Sequence, residues 1–103
     1  MYAKPPWLLH LSGELDLCSA PALTIALEGP TKRGGTIGLE LAELTYVDST
    51  GIYAILNTVR LLGERGRVVL FNPPPMVRRL LEICGLNDMI AVSCHPSSPH
   101  SLD

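Results

Sequence analysis

Ser49 is the residue in this sequence with the best local setting for chemistry. It lies in Thr45-Tyr46-Val47-Asp48-Ser49-Thr50-Gly51-Ile52, where an apolar run passes through a short polar turn into a helix-periodic run. A serine at a helix mouth has two uses. Its hydroxyl can cap the helix by accepting a backbone N–H two or three residues on, which contributes about 1 kcal/mol. It can also carry a phosphate, because free N–H groups and the positive end of the helix dipole tolerate an added charge of roughly −1.5 to −2. The cap is what the local pattern alone gives. Gly51, with no side chain beside Ser49, is expected to let a loop of another protein approach closely.

Other constellations offer less. The chain has no phosphate-binding Gly-x-x-x-x-Gly-Lys-Ser/Thr loop, no Gly-x-Gly-x-x-Gly, no His-Glu-x-x-His and no Gly-x-Ser-x-Gly. His10, His95 and His100 are scattered, so no base is paired with a nucleophile at a recognisable spacing. Cys94, His95 and His100 do not make a full metal-ligand set. The three cysteines, Cys18, Cys84 and Cys94, are odd in number and widely spaced, which predicts reduced thiols rather than a disulfide framework. Neither catalysis, a metal nor a cofactor is expected.

Four apolar runs and three helical stripes must position Ser49. Trp7-Leu8-Leu9-His10-Leu11 reads as a strand, with a turn beginning at Gly13. Ser19 as N-cap, Pro21 in the first turn and the stripe Ala22, Leu23, Ala26, Leu27 predict a helix that stops near Gly29-Pro30, followed by a loop over 31–35. Ile37, Leu39 and Leu41 alternate with Gly38 and Glu40, which predicts a strand and then an ordered turn up to Val47. The spacing of Ile52, Ile55, Leu56, Val59 and Leu62 predicts a second helix from the Asp48-Ser49-Thr50-Gly51 segment to about Gly63. Val68-Val69-Leu70-Phe71 suits a strand buried on both faces, closed by Pro73-Pro74-Pro75. Val77, Leu80, Leu81 and Cys84 mark the inner face of a third helix, with Arg78, Arg79 and Glu82 outside and Gly85 just past its end. Met89-Ile90-Ala91-Val92 is a last short strand. The order implies an α/β domain with crossover helices over a mostly parallel, mixed sheet.

The bulk properties agree with one small domain. The chain has 103 residues, of which 47% are hydrophobic and 17% charged, enough apolar side chain for a core. We expect a domain over 1–93 and a flexible Ser- and Pro-rich tail over 94–103. The net charge of −2 lacks the cationic field that nucleic acid or anionic lipid requires, so direct binding to either is not expected. No apolar run is long enough to span a bilayer and Met1-Tyr2-Ala3-Lys4-Pro5-Pro6 has no signal-peptide core, which predicts a cytoplasmic protein.

Three stretches together resemble the STAS family, the domain shared by bacterial anti-sigma-factor antagonists and the cytoplasmic ends of sulfate transporters. They are Gly13-Glu14-Leu15-Asp16, Val47-Asp48-Ser49-Thr50-Gly51-Ile52, and the run from Pro75 through Cys84-Gly85-Leu86. The resemblance extends from about Trp7 to Val92. It implies a stand-alone antagonist that binds an anti-sigma factor with serine kinase activity and thereby frees a sigma factor. The serine after the aspartate, here Ser49, would be phosphorylated by that kinase, which weakens binding, and a separate phosphatase would restore it. Asp16 would lie in a loop facing the acceptor and Asp48 would flank it, adding like-charge repulsion to a phosphate. The partner-binding set is then Asp16, Asp48, Ser49, Thr50, Gly51, Ile52 and Tyr53.

Two departures from the family pattern stand out. Tyr53 occupies a position that is often glycine, and the N-terminus is too brief for the additional first strand that relatives often carry. An uncovered sheet edge there would invite dimerisation or pairing with a partner strand, and the chain is expected to be a monomer or a weak homodimer. The alternative within the family is an accessory subunit that docks on an ABC transporter or anion carrier without phosphorylation. An enzyme or small-ligand sensor would need a polar pocket that the sequence does not indicate.

Overall fold

A computed structural model describes residues 8–85 in full and the backbone of 2–4 and 91–93. The elements run β1 (Tyr2–Lys4), β2 (Leu8–Leu15), α1 (Ala20–Arg33), β3 (Gly35–Val47), α2 (Ser49–Leu62), a 3-10 turn (Gly63–Arg65), β4 (Gly66–Phe71), α3 (Pro75–Ile83) and β5 (Ala91–Ser93). The strands form one sheet in the order β1-β2-β3-β4-β5. β1 is antiparallel to β2 and the other neighbours are parallel, so the fold is the expected α/β domain with a mostly parallel mixed sheet.

Each crossover steps to the next strand in the same direction. Right-handed connections of that kind put their helices on one face of the sheet. Accordingly Leu9, Leu11, Ile37, Leu39, Leu41, Val68 and Leu70 from alternate strand positions share one core with Leu23 and Leu27 of α1, Ile52, Ile55 and Leu56 of α2, and Val77 and Leu81 of α3. The intervening positions Leu8, Val69 and Phe71 form a smaller cluster on the other face. All four residues from Val68 to Phe71 are buried, as a strand covered on both sides requires.

Several element boundaries differ from the sequence expectation. The first strand does not turn at Gly13. Gly13 has φ +78, and the β2–β3 register slips between His10 and Ser12 and again between Gly13 and Glu14, so a bulged strand continues to Leu15. β3 is likewise one strand of 13 residues rather than a strand plus a turn. α1 continues through Gly29 and Pro30 to Arg33 because Leu27, Pro30 and Thr31 are all buried, and this packing outweighs the helix-breaking tendency of Gly and Pro. Thr31 Oγ1 also donates to the Leu27 carbonyl at 2.6 Å, and the left-handed residue that ends the helix is Gly34 at φ +80. The extra first strand is present after all, as Tyr2–Lys4 paired with His10, Leu9 and Leu8.

α3 keeps its expected register with one adjustment. Leu81 is 1% exposed and Val77 0%, whereas Leu80 and Cys84 are half-buried at the margin of the core. Arg78, Arg79 and Glu82 face solvent and Gly85 has φ +70. Of the last predicted strand, Ala91 and Val92 lie in β5, while Met89, Ile90 and the tail from Cys94 fall outside the described residues. Among the described residues no helix is long and apolar enough to cross a membrane.

Candidate functional site

The site forms where two parallel strands end side by side. Leu15 and Val47 are register partners, and the Asp48 amide donates to the Leu15 carbonyl at 3.1 Å. Asp16 and Asp48 are thus the first residues out of two adjacent strands, and each leads into a helix.

At the first exit Asp16 organises a tight turn. Its Oδ1 accepts from the Cys18 amide at 3.0 Å, the Ser19 amide at 3.1 Å and the Ser19 hydroxyl at 3.2 Å. Ser19 does not cap α1 through its side chain. Its hydroxyl instead turns back, accepting from the Asp16 amide at 2.9 Å and lying 2.8 Å from the Glu14 carbonyl, to which it can donate. Cys18 is exposed in this turn.

At the second exit the cap of α2 is Asp48 and not Ser49. The Asp48 Oδ1 accepts from the Gly51 amide at 3.1 Å, and its carbonyl accepts from the Ile52 amide at 3.2 Å. Ser49 is therefore the first helical residue. Its side chain is exposed and makes no hydrogen bond among the described residues. The sequence suggested the N-cap for Ser49 because serine and aspartate are equally good caps. The extended backbone of Asp48, φ −113 and ψ −178, decides between them.

The other expected contact residues divide between surface and core. Thr50 is half-buried and Tyr53 is 55% exposed. Ile52 is 0% exposed and belongs to the core, so it anchors α2 and offers no surface. Gly51 is buried against β2: a Cβ built there would lie 2.6 Å from Leu15 Cγ and 2.8 Å from the Leu15 carbonyl oxygen. Its missing side chain serves this internal close approach rather than a partner's loop. Leu15 and Ser19 are the site residues that sequence reasoning missed. No local spacing signals the meeting of Gly51 with Leu15, which follows from the parallel register of β2 and β3.

No cluster of three or more potential metal ligands occurs among the described residues. The arrangement presents one exposed hydroxyl on the first turn of a helix, flanked by a carboxylate already engaged in capping.

Comparison with known proteins agrees with this architecture. A sequence profile of the STAS domain matches residues 3–99, and the chain belongs to that family. An anti-sigma-B factor antagonist of Listeria monocytogenes is 35% identical over 86 residues, which covers 82% of this chain and 75% of the relative. The solved structure of the anti-sigma factor antagonist SpoIIAA in its unphosphorylated form superposes with a TM-score of 0.75 at 26% identity, over 93% of this chain and 84% of that one. The phosphorylated form of the Bacillus SpoIIAA gives a TM-score of 0.71 at 25% identity, covering 93% and 86%.

Proposed function

We propose that this protein is an anti-sigma-factor antagonist whose binding to a serine-kinase anti-sigma factor is switched off by phosphorylation of Ser49 and restored by a phosphatase. The observation that carries the reading is the freedom of the Ser49 hydroxyl. It is exposed on the first turn of α2, and Asp48 already performs the capping that would otherwise engage it. The relatives named as antagonists, one of them solved with and without phosphate, support the same reading.

The physics of the switch is local. A phosphate on Ser49 sits near first-turn amides that have no helical acceptor, so the fold accepts it. A partner covering the same spot must desolvate a doubly charged group beside the Asp48 carboxylate, which weakens binding. The unmodified hydroxyl imposes no such cost.

The test combines the candidate kinase with ATP and measures phosphate incorporation and affinity for wild type, Ser49→Ala and Ser49→Asp. Ser49→Ala is expected to bind and to take up no phosphate, and Ser49→Asp to fold normally and bind weakly. Labelling of Ser49→Ala at the wild-type level, or wild-type affinity in Ser49→Asp, would reduce Ser49 to an ordinary surface serine.

A further inference from the structure

The groove between α1 and α2 has two ends. At the acceptor end it is lined by Leu17, Ile25 and Tyr53. Past Thr24 and Ala54, which line both stretches, it continues toward the C-termini of the two helices as a cavity of about 280 Å³. The floor of this second stretch is apolar. Leu27 is 2%, Thr58 5% and Thr31 8% exposed. The hydroxyls of Thr24, Thr31 and Thr58 each donate to the carbonyl four residues earlier in their own helix, at 3.1, 2.6 and 3.3 Å. Their protons are therefore spent, and Leu27, Ala54 and Leu61 offer an occupant hydrocarbon.

The far end of the cavity is cationic. Arg65 lines it, and the ends of both helices hold its guanidinium in place. Nη1 donates to the Lys32 carbonyl at 3.2 Å and Nη2 to the Leu61 carbonyl at 2.9 Å. A guanidinium has five N–H groups, so three remain beyond those two bonds. Because the side chain is anchored beforehand, a ligand need not order it on binding. Lys32 brings a second cation to the same end. Glu28, the one carboxylate among the described lining residues, precedes Lys32 by four residues and so lies about one helical turn nearer the acceptor end. The negative ends of the helix dipoles are offset by Arg65 and by the capping amides of Gly34 and Gly63.

We propose that this cavity binds a small amphipathic carboxylate, its apolar body on Leu27, Ala54 and Leu61 and its head group on Arg65 and Lys32. A fixed guanidinium fork matches the planar carboxylate better than any other anion-binding side chain does. The volume sets the size at about ten non-hydrogen atoms, taking ~30 Å³ for a water-sized group. That is the small end of the range for ligand pockets. The site lies at the opposite end of α2 from Ser49 and does not depend on the reading of that residue.

The test titrates the full chain, labelled with 15N, and follows amide shifts by NMR. Octanoate has the required size, octanamide removes its charge and octylamine reverses it. Octanoate is expected to saturate with a Kd at or below about 1 mM, shifting amides of residues 24–32 and 54–65, and the other two probes to bind at least about tenfold more weakly. Arg65→Gln should lower octanoate to the level of octanamide, and Ala54→Leu, which fills the cavity, should weaken it about tenfold, with thermal melts recorded for both variants. If either variant fails to fold, the comparison of the three probes on wild type decides alone. Equal binding of octanoate and octanamide, wild-type affinity for octanoate in a folded Arg65→Gln, or no saturable shifts up to about 10 mM would overturn the proposal. Shifts confined to the acceptor end around Leu17 and Tyr53 would overturn it as well.

Discussion

The two strand-to-helix junctions at the acceptor end use the same residue types and leave them in opposite conditions. Each begins with an aspartate directly after a register-paired apolar residue, Leu15 in one case and Val47 in the other. Each also contains a serine. In the junction before α1 the hydroxyl of Ser19 is held among Asp16 and the Glu14 carbonyl. In the junction before α2 the aspartate caps the helix by itself and the hydroxyl of Ser49 is left in solvent. The number of residues between strand and helix makes the difference. Four residues, 16–19, connect β2 to α1, whereas Asp48 alone connects β3 to α2. A longer turn has orphan amides and carbonyls for a serine to satisfy, whereas at the one-residue turn Asp48 itself accepts from the Gly51 amide and leaves the Ser49 hydroxyl unengaged.

That contrast can be broken by chemistry first. With kinase and ATP, Ser49→Ala should lose all phosphate incorporation and Ser19→Ala should be labelled like wild type, as read by mass spectrometry of the intact chain. Phosphate found on Ser19 in either protein would dissolve the distinction.

Stability measurements sharpen it. Gly51→Ala should lose about 1–3 kcal/mol in urea unfolding although alanine is intrinsically the better helix former by about 1 kcal/mol, because the new Cβ meets Leu15 at 2.6 Å. A neutral result would mean that the two exits are not held in close register. Ser19→Ala should cost about 1–2 kcal/mol, since it strips the partner from the half-buried Asp16 amide and removes the hydroxyl's bond to the exposed Glu14 carbonyl. Ser49→Ala, which breaks no hydrogen bond, should stay within about 0.5 kcal/mol. Equal losses in the two variants would contradict the observed hydrogen bonding.

Asp48→Ala should cost about 1 kcal/mol as an ordinary lost cap, with Asp48→Asn recovering most of it. The smallest effect expected is a gain. Ser49→Asp puts a negative charge at the positive end of the α2 dipole and should raise stability by about 0.3–1 kcal/mol at low salt, fading as salt is added. A Tm below that of wild type at every salt concentration would show that the charge is repelled by Asp48 more strongly than the dipole favours it.

Much of this was legible from local pattern. The helical spacing of Ile52, Ile55, Leu56, Val59 and Leu62 located α2, and all are buried but Val59, which is half-buried against the core. The run Val68 to Phe71 marked a strand covered on both faces, and Gly85 marked the end of α3. These succeed because periodicity and left-handed glycines are properties of a few neighbouring residues. The errors fall where distant residues decide. Gly29-Pro30 reads as a stop, yet α1 continues because Pro30 and Thr31 are buried. Gly13 reads as a turn, yet pairing with β3 holds β2 extended to Leu15. Ile25 does not belong to the stripe that located α1, and its meeting with Tyr53 follows only from the packing of α1 against α2.

By itself the sequence determined the family, the class of fold and the candidacy of Ser49, because each depends on residue types at short spacing. Tertiary structure alone decided that Asp48 rather than Ser49 caps the helix, that Gly51 accommodates Leu15, that Ile52 is core, and that Leu17, Ile25 and Tyr53 face one another across a groove. Those outcomes depend on which of several locally equivalent groups a neighbouring strand or helix brings within reach, and contacts of that kind, Thr45 with Gly13 and Gly51 with Leu15, join residues 32 and 36 positions apart, beyond any local spacing rule.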